Sequence, residues 1–289
     1  MRRLFSSILQ RSSLKVSKGV ELSTYVAYPK NVARPLTYVA IMHGISDHMG
    51  YYDELADSLT QRGFCVFGYD RRGKGNTKGD PAYMVNRAID LQDFTAVRNS
   101  ICNNERVHLI GNSLGGLLAL QMGLKTPEIF KSVITINPAI SQSEKAVQCG
   151  AFKLFAFKLM LSTPFVNLLT FGAGDLSAKS KDKEFVKRMI DDKLFYKGPL
   201  KGNAVREIYR MMNEVVSQAP SMRVPWLLHL SKNDEVVNSH ISKKVFSEVK
   251  LKDKILYEYD AGHDLPNNTI KENTQLITEK TISWLNSHL

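Results

Sequence analysis

Short apolar runs alternate along most of this chain with longer stretches of helical spacing, and no other feature limits the fold as much. Tyr38 to Met42, Cys65 to Tyr69, Val107 to Ile110, Val133 to Ile136, Trp226 to Leu230 and Ile255 to Tyr259 read as strands. Helical spacing marks Tyr51 to Gln61 (Tyr52, Leu55, Ala56, Leu59) and Ala88 to Cys102 (Leu91, Phe94, Val97). It marks Leu117 to Lys125, Ile241 to Val249 and Ile270 to His288 as well, and Gly63 is a stop signal. A strand apolar at every position is covered on both faces. The alternation therefore predicts an α/β fold: a mostly parallel sheet with helices on both sides. A hairpin of Leu14 to Val16 with Ser23 to Tyr28, turning at Lys18-Gly19, precedes it.

The rhythm stops after Pro138. Residues 139–220 hold no β-branched strand run and are rich in Lys, Phe, Leu and Met. They read as a helical cap inserted between two parts of one core, 1–138 and 221–289. Within the cap, Gly150 to Gly172 is apolar on nearly every face of a helix, with Lys153 and Lys158 as interruptions. Such a segment lines an acyl tunnel while touching lipid, packs wholly in the core, or makes a dimer contact. The first case places Phe152, Phe155 and Leu159 against substrate and lets the lysines snorkel to phosphate level. An apolar cap suits an acyl chain better than a polar ligand.

A parallel sheet presents its ligands at the carboxyl ends of the strands. Gly111-Asn112-Ser113-Leu114-Gly115 lies there, between the strand ending at Ile110 and the next helix. A G-x-S-x-G run in that setting puts the serine on a strained turn with its hydroxyl exposed. The helix that follows aims its positive end at the reacting oxygen. Ser113 is the expected nucleophile and Asn112 borders it. The base must follow in the chain. His263 stands after the last strand, whereas His108 and His229 fall inside strands and read as core residues. His240 opens a helix, His288 is terminal, and His43 and His48 precede the serine. Asp234, after the strand at 226–230, is the expected partner that orients His263. Glu235, Asp260 and Asp264 are its rivals. His43-Gly44-Ile45 follows the strand at 38–42, so the amide of Ile45, with that of Leu114, is the expected oxyanion hole. His43 and Gly44 shape that wall of the substrate site.

Together these residues resemble the monoacylglycerol lipase and lysophospholipase branch of the α/β-hydrolases, over nearly the whole chain from Leu14 onward. The family's H-G-x-x-E-H-x-x-R-Y is similar to the run from His43 to Tyr52. Its D-x-R-G-H-G-x-S-x-G is similar to Asp70-Arg71-Arg72-Gly73-Lys74-Gly75-Asn76-Thr77-Lys78-Gly79. Ser180 to Leu200, with Asp192 and Tyr196-Lys197-Gly198, resembles the stretch that closes the family's cap. The chain departs from the pattern at three places. Asp47 stands for glutamate, Lys74 for histidine, and Tyr51 for an arginine that helps hold the glycerol or headgroup end. The resemblance implies a serine carboxylic-ester hydrolase that frees fatty acid from monoacylglycerol or lysophospholipid through an acyl-enzyme. The alternatives are a short-chain esterase or aminopeptidase of the same fold, and a binder of apolar ligands without turnover.

Charge bears on partners. With 39 basic and 28 acidic residues the net charge is +11, which attracts anionic surfaces. No nucleic-acid motif accompanies it, so nucleic acid is not expected; peripheral contact with an anionic membrane is one reading, and a lysine-rich surface without a partner is the other. The oligomeric state has no signature in the sequence. Cys65, Cys102 and Cys149 are scattered without CxxC spacing, so no metal or disulfide framework is expected and no cofactor is implied. A reduced, cytoplasmic setting follows, with membrane contact at the periphery. Arg2, Arg3 and Arg11 precede the first acid, Glu21, which gives residues 1–13 the look of a targeting segment. No apolar run is long enough to span a bilayer.

Overall fold

A computed structural model describes residues 8–30, 32–82, 86–141, 160–161, 163–172, 176–265 and 271–289. The expected tunnel residues Phe152, Phe155 and Leu159 lie outside them, as do Cys149 and most of the targeting-like segment. The strands are β1 (Gln10–Lys15), β2 (Glu21–Ala27), β3 (Tyr38–Met42), β4 (Cys65–Tyr69), β5 (Val107–Asn112), β6 (Phe130–Ile136), β7 (Thr170–Phe171), β8 (Leu200–Lys201), β9 (Trp226–Ser231) and β10 (Lys254–Tyr259). The helices are α1 (Asp53–Thr60), α2 (Arg87–Cys102), α3 (Leu114–Lys125), α4 (Lys183–Asp191), α5 (Gly202–Gln218), α6 (Ser239–Glu248) and α7 (Lys271–Asn286).

Eight strands form one sheet in the order β1-β2-β4-β3-β5-β6-β9-β10. From β4 to β10 every neighbouring pair is parallel, and β2 runs against both β1 and β4. This is the α/β-hydrolase arrangement. Side chains alternate between two apolar layers, as the twofold period of a strand requires. Ala40, Met42, Phe67, Tyr69, Leu109, Trp226 and Leu228 face one layer with α2, α3 and α6. Val39, Ile41, Val66, Ile110 and Leu227 face the other with α1 and α7. From β3 the chain passes to β4 on one side and then crosses to β5 on the other. The order therefore reverses at β3 and β5, and a crevice opens at their carboxyl ends.

Element boundaries differ from the sequence reading where composition is misleading. The helix expected from Leu117 begins at Leu114, because two glycines in its first turn have loop-like propensity but pack tightly here. The first strand begins at Gln10 rather than Leu14. It is an exposed edge strand whose polar residues carry no apolar pattern. Lys18 takes a positive φ of 60° at the hairpin.

In the inserted segment, β7 and β8 pair antiparallel. The amphipathic helix α5 packs on α3, and its Ala204, Met211 and Val215 join the same apolar layer as the sheet. The end of the insertion is thus built into the body of the fold. No helix among the described residues is long and apolar enough to cross a membrane.

Two histidines expected in the core are fully buried. His108 meets Ser132 Oγ at 2.8 Å, and His229 lies between Tyr259 Oη at 2.7 Å and Thr281 Oγ1 at 3.1 Å. Burial lowers both to about 3. In the unfolded chain each titrates near 6.5, so below that pH the unfolded state holds the extra protons. Their contribution is complete above about pH 6.5 and is lost as the pH falls towards 3, at up to about 1.4 kcal/mol per pH unit for each histidine. The urea midpoint is therefore expected to drop between pH 7 and pH 5, and His229→Gln should flatten that slope. A slope equal in both proteins would exclude His229 as a contributor.

Candidate active site

Ser113 sits in the single-residue turn between β5 and α3, with φ 54° and ψ −119°. Left-handed backbone is costly for a residue with a side chain and persists only where the surroundings enforce it. They do so through packing. A Cβ on Gly111 would strike the carbonyl oxygen of Gly115, and one on Gly115 would strike the carbonyl oxygen of Met42 on β3. The chain also grips the turn. Ser113 N–H donates to Ile136 O at 2.9 Å, and Ser113 O accepts from Leu117 and Ala139.

His263 reaches the serine from the loop after β10. Its Nε2 lies 2.9 Å from Ser113 Oγ, and its Nδ1 lies 2.7 Å from Asp234 Oδ2. Asp234 stands in the loop after β9, and its side chain is fully buried. The second oxygen, Oδ1, accepts from the amides of Val236 at 2.7 Å and Val237 at 2.9 Å. Those two bonds aim the carboxylate. The rivals are placed elsewhere: Glu235 pairs with Lys181, Asp260 accepts from Asn233, and the amide of Asp264 bonds Lys179 O. With Asp234 holding Nδ1–H, Nε2 has its lone pair towards the hydroxyl. The arrangement can take a proton from Ser113 and return it to a leaving group.

The amides of Ile45 and Leu114 have no hydrogen-bond partner among the described residues. Leu114 is the first residue of α3, so its amide belongs to the open, positive end of that helix. The loop carrying Ile45 is held from beneath. The His43 ring is fully buried; Nδ1 donates to Gly44 O at 2.8 Å and Nε2 accepts from Arg71 N at 3.0 Å. Burial first, then the Arg71 charge, holds His43 well below its usual range. It stays neutral and can accept that bond. His43 thus shapes the loop from below rather than touching substrate. Gly44 O also accepts from Arg71 Nη2 at 3.1 Å. Asn112 is buried beside Ser113, and its Oδ1 has no hydrogen-bond partner among the described residues.

The run from Asp70 to Gly79, legible in the sequence only by resemblance, acts through Asp70. That fully buried carboxylate accepts from Tyr25 Oη, Met49 N and Asn76 N, each at 2.8 Å. It ties β2, the Ile45 loop and its own loop together. No spacing rule identifies such a hub, because two of its three partners, Tyr25 and Met49, come from distant segments. The insertion closes over the same loop. Tyr196 N–H donates to Ser46 O at 3.0 Å, and His48 Nε2–H donates to Asp192 Oδ2 at 2.8 Å. Tyr51 packs edge-on against Phe185 and Phe195. Lys74 is buried with Nζ 2.6 Å from Pro81 O and 4.4 Å from the Tyr196 ring centre. Burial, with repulsion from Arg71, brings its ammonium down to about 7. Ile45 and Leu114 line a cavity with Ile89, Leu200, Ala204 and Ile208, and Arg71 and Lys74 border it. Among the described residues no cluster of His, Cys, Asp and Glu could hold a metal ion.

The glycine requirement is directly testable. Gly115→Ala is expected to lower stability by about 2–4 kcal/mol, because the Cβ meets backbone rather than a movable side chain. Gly123→Ala in the same helix meets side chains alone, Val133 Cγ2 at 3.1 Å and Met222 Sδ and Cε at 3.6 and 3.7 Å, and should stay within about 1 kcal/mol of the parent. Urea unfolding of the two variants gives the comparison, and equal effects would show that the turn is not crowded.

The profile of the family described as serine aminopeptidase, S33 (Hydrolase_4) matches residues 33–269. Monoglyceride lipase of Homo sapiens is 24% identical over 265 residues, covering 90% of this chain and 86% of that protein. Monoacylglycerol lipase of Mycolicibacterium smegmatis is 23% identical over 262 residues, covering 88% and 90%. Among solved structures, a soluble variant of monoglyceride lipase from Saccharomyces cerevisiae in complex with a substrate analog has a TM-score of 0.86 at 17% identity, over 99% of this chain and 98% of that one. Monoacylglycerol lipase from Paleococcus ferrophilus has a TM-score of 0.77 at 23% identity, over 96% and 99%. Fold, strand-end placement of the serine and the family match agree: the chain belongs to the serine aminopeptidase S33 family of α/β-hydrolases and resembles the monoacylglycerol lipase branch.

Proposed function

We propose that this chain, a carboxylic-ester hydrolase, cleaves single-chain lipid esters, with monoacylglycerol as the leading substrate and lysophospholipid as the second. The observation that carries the reading is the unbroken contact line from Asp234 through His263 to Ser113, at 2.7 and 2.9 Å, beside two open amides. His263 takes the hydroxyl proton as Ser113 Oγ attacks the ester carbonyl. The oxyanion rests on the N–H groups of Ile45 and Leu114, each worth about 10²–10³ in rate. The C–O bond to the alcohol breaks, and His263 returns the proton to the departing oxygen. Water, deprotonated by the same histidine, then attacks the acyl carbonyl; the bond to Ser113 Oγ breaks, His263 returns the proton to that oxygen, and the fatty acid is released. Asp234 keeps the imidazole oriented and balances its charge in both steps.

The lipid part of the reading is supported by the apolar wall of the cavity beside Ile45 and Leu114, and by the relatives named as monoglyceride lipases. An aminopeptidase needs a carboxylate for the substrate's amine. In the insertion, Asp192 is committed to His48 and Asp182 Oδ1 caps α4, while Asp90 lines the cavity itself, so the preference for the ester rests on the relatives named as monoglyceride lipases. A peripheral membrane role is supported by Phe165 and Leu168, 70% and 81% exposed on the turn at 164–168, together with the net charge of +11. Phe165→Ser/Leu168→Ser should reduce co-sedimentation with anionic phosphatidylserine vesicles, and unchanged binding would remove the turn from that role.

The deciding assay compares 1-monoacylglycerols with lysophosphatidylcholines across acyl lengths. Activity should rise with chain length on the monoacylglycerol series. Ser113→Ala should abolish it together with fluorophosphonate labelling, and Asp234→Asn should lower kcat by about 10⁴. Turnover confined to the shortest esters would overturn the lipid assignment while leaving the serine chemistry in place. Full activity in Ser113→Ala would overturn both.

A further inference from the structure

Asn137, which follows the last residue of β6, belongs to no catalytic motif of the sequence. It is fully buried and has a positive φ of 43°, a conformation that asparagine tolerates better than most residues. Every polar group of its side chain is engaged. Oδ1 accepts from Ser231 N at 2.7 Å, and Nδ2 donates to Ser231 Oγ at 2.8 Å and to the carbonyl oxygen of His263 at 2.7 Å. Its own amide donates to His229 O at 3.0 Å. Ser231 Oγ donates in turn to Gly262 O at 2.7 Å. The carbonyls of two consecutive residues in the histidine loop are therefore held from below, one by Asn137 and one by Ser231.

The neighbouring residue completes a ring. Ile136 O accepts the backbone N–H of Ser113 at 2.9 Å. One step along the chain, the Asn137 amide holds His263. The ring then closes through His263 Nε2 and Ser113 Oγ at 2.9 Å. Nucleophile and base are thus fixed to adjacent residues of a single buried strand end, and their separation is set by two short hydrogen bonds. We propose that Asn137 is a positioning residue: its side-chain amide sets the approach of His263 to Ser113. It touches neither substrate nor the reacting atoms. This rests on the reading of Ser113 and His263 as nucleophile and base.

The physical case is one of rigidity. The loop after β10 is otherwise held by Ser231 Oγ on Gly262 O at 2.7 Å, by Asn233 N–H on Ala261 O at 3.2 Å and by Asp264 N–H on Lys179 O at 3.0 Å, none of which reaches the His263 carbonyl. Without the amide, the His263 carbonyl is a buried acceptor with no partner, a state that drives local rearrangement. A displacement of about 1 Å between reacting groups costs on the order of 10²-fold in rate.

The test uses the full chain and p-nitrophenyl butyrate, a soluble ester that needs no membrane. Asn137→Gly keeps the positive φ and removes only the amide. Asn137→Asp keeps the size and the acceptor for Ser231 N–H but turns an oxygen towards the His263 carbonyl. Ser231→Ala removes the hydroxyl link alone. The expected result is a fall in kcat of about 10² for both Asn137 variants and of about tenfold for Ser231→Ala, with KM within about threefold of the parent. Fluorophosphonate labelling of Ser113 should slow in parallel. Thr281→Val, which breaks the buried bond to His229 away from the site, serves as the stability control: it should lower Tm while kcat stays near the parental value. The proposal is overturned if the Asn137 variants keep kcat within threefold. It is equally overturned if activity falls in proportion to lost Tm in all four variants. Should the Asn137 variants not fold, an unchanged labelling rate in folded Ser231→Ala would overturn it as well. Activity that survives Ser113→Ala is a separate result and defeats the functional reading itself.

Discussion

The crowded turn between β5 and α3 is the constraint on which the rest of the site depends. Ser113 can leave the sheet and enter a helix within one residue only because Gly111 and Gly115 leave no side chain between β5, α3 and the carbonyl of Met42. The strained φ at Ser113 is maintained by close packing on all sides rather than by a local preference. That geometry raises the hydroxyl above the sheet and starts α3 at the next residue, which places the Leu114 amide beside it. The cost of the strain falls on the core. It is met by the fully buried α3, whose Leu117, Leu118 and Leu120 pack within the main apolar layer.

The groups that surround the turn are held by buried polar hubs rather than by regular structure. Asp70 gathers Tyr25, Met49 and Asn76. His43 and Arg71 lock the carbonyl of Gly44 and leave the Ile45 amide open. Asn137 and Ser231 support the histidine loop. Each hub joins loops from different strand ends, so the amides of Ile45 and Leu114, the Ser113 hydroxyl and the His263 ring are referred to one rigid sheet. Paired buried groups give each contributing loop a single position, and Arg71 Nε is a buried member with no hydrogen-bond partner among the described residues. The inserted segment is coupled to the same frame through Tyr196 on Ser46 and Asp192 on His48. The covering of the site and the oxyanion loop therefore share contacts.

The protein's own residues account for the chemistry at three levels. Alternating apolar strands build a sheet covered on both faces, the sheet presents its carboxyl ends, and three of those ends deliver serine, histidine and aspartate. The departures at Tyr51 and Lys74 have structural roles in this chain. Tyr51 fills an aromatic cluster with Phe185 and Phe195, and Lys74 sits against Pro81 O and Tyr196. Both sit where the core meets the insertion, and Lys74 also borders the cavity beside Ile45 and Leu114.

Much of this was determined by sequence alone. The twofold and helical periods, set by covalent geometry, marked nearly every strand and helix of the core. The G-x-S-x-G run announced its turn because only glycine fits there. Chain order and strand-end position separated His263 from the core histidines His108 and His229. Strand-end position favoured Asp234 over Asp260 and Asp264, the near neighbours of His263, and left Glu235 as the closest rival, since all four are carboxylates in strand-end loops. Tertiary structure places Asp234 against His263, aims it with two amides and pairs Glu235 with Lys181. It alone turned the His43 ring beneath its loop, fused α5 to α3, and brought Asn137 under His263 across 126 positions of chain. Periodicity is a local property and is written in neighbouring residues. The pairing of buried polar groups is a property of the closed fold, and it exists only once distant strand ends lie side by side.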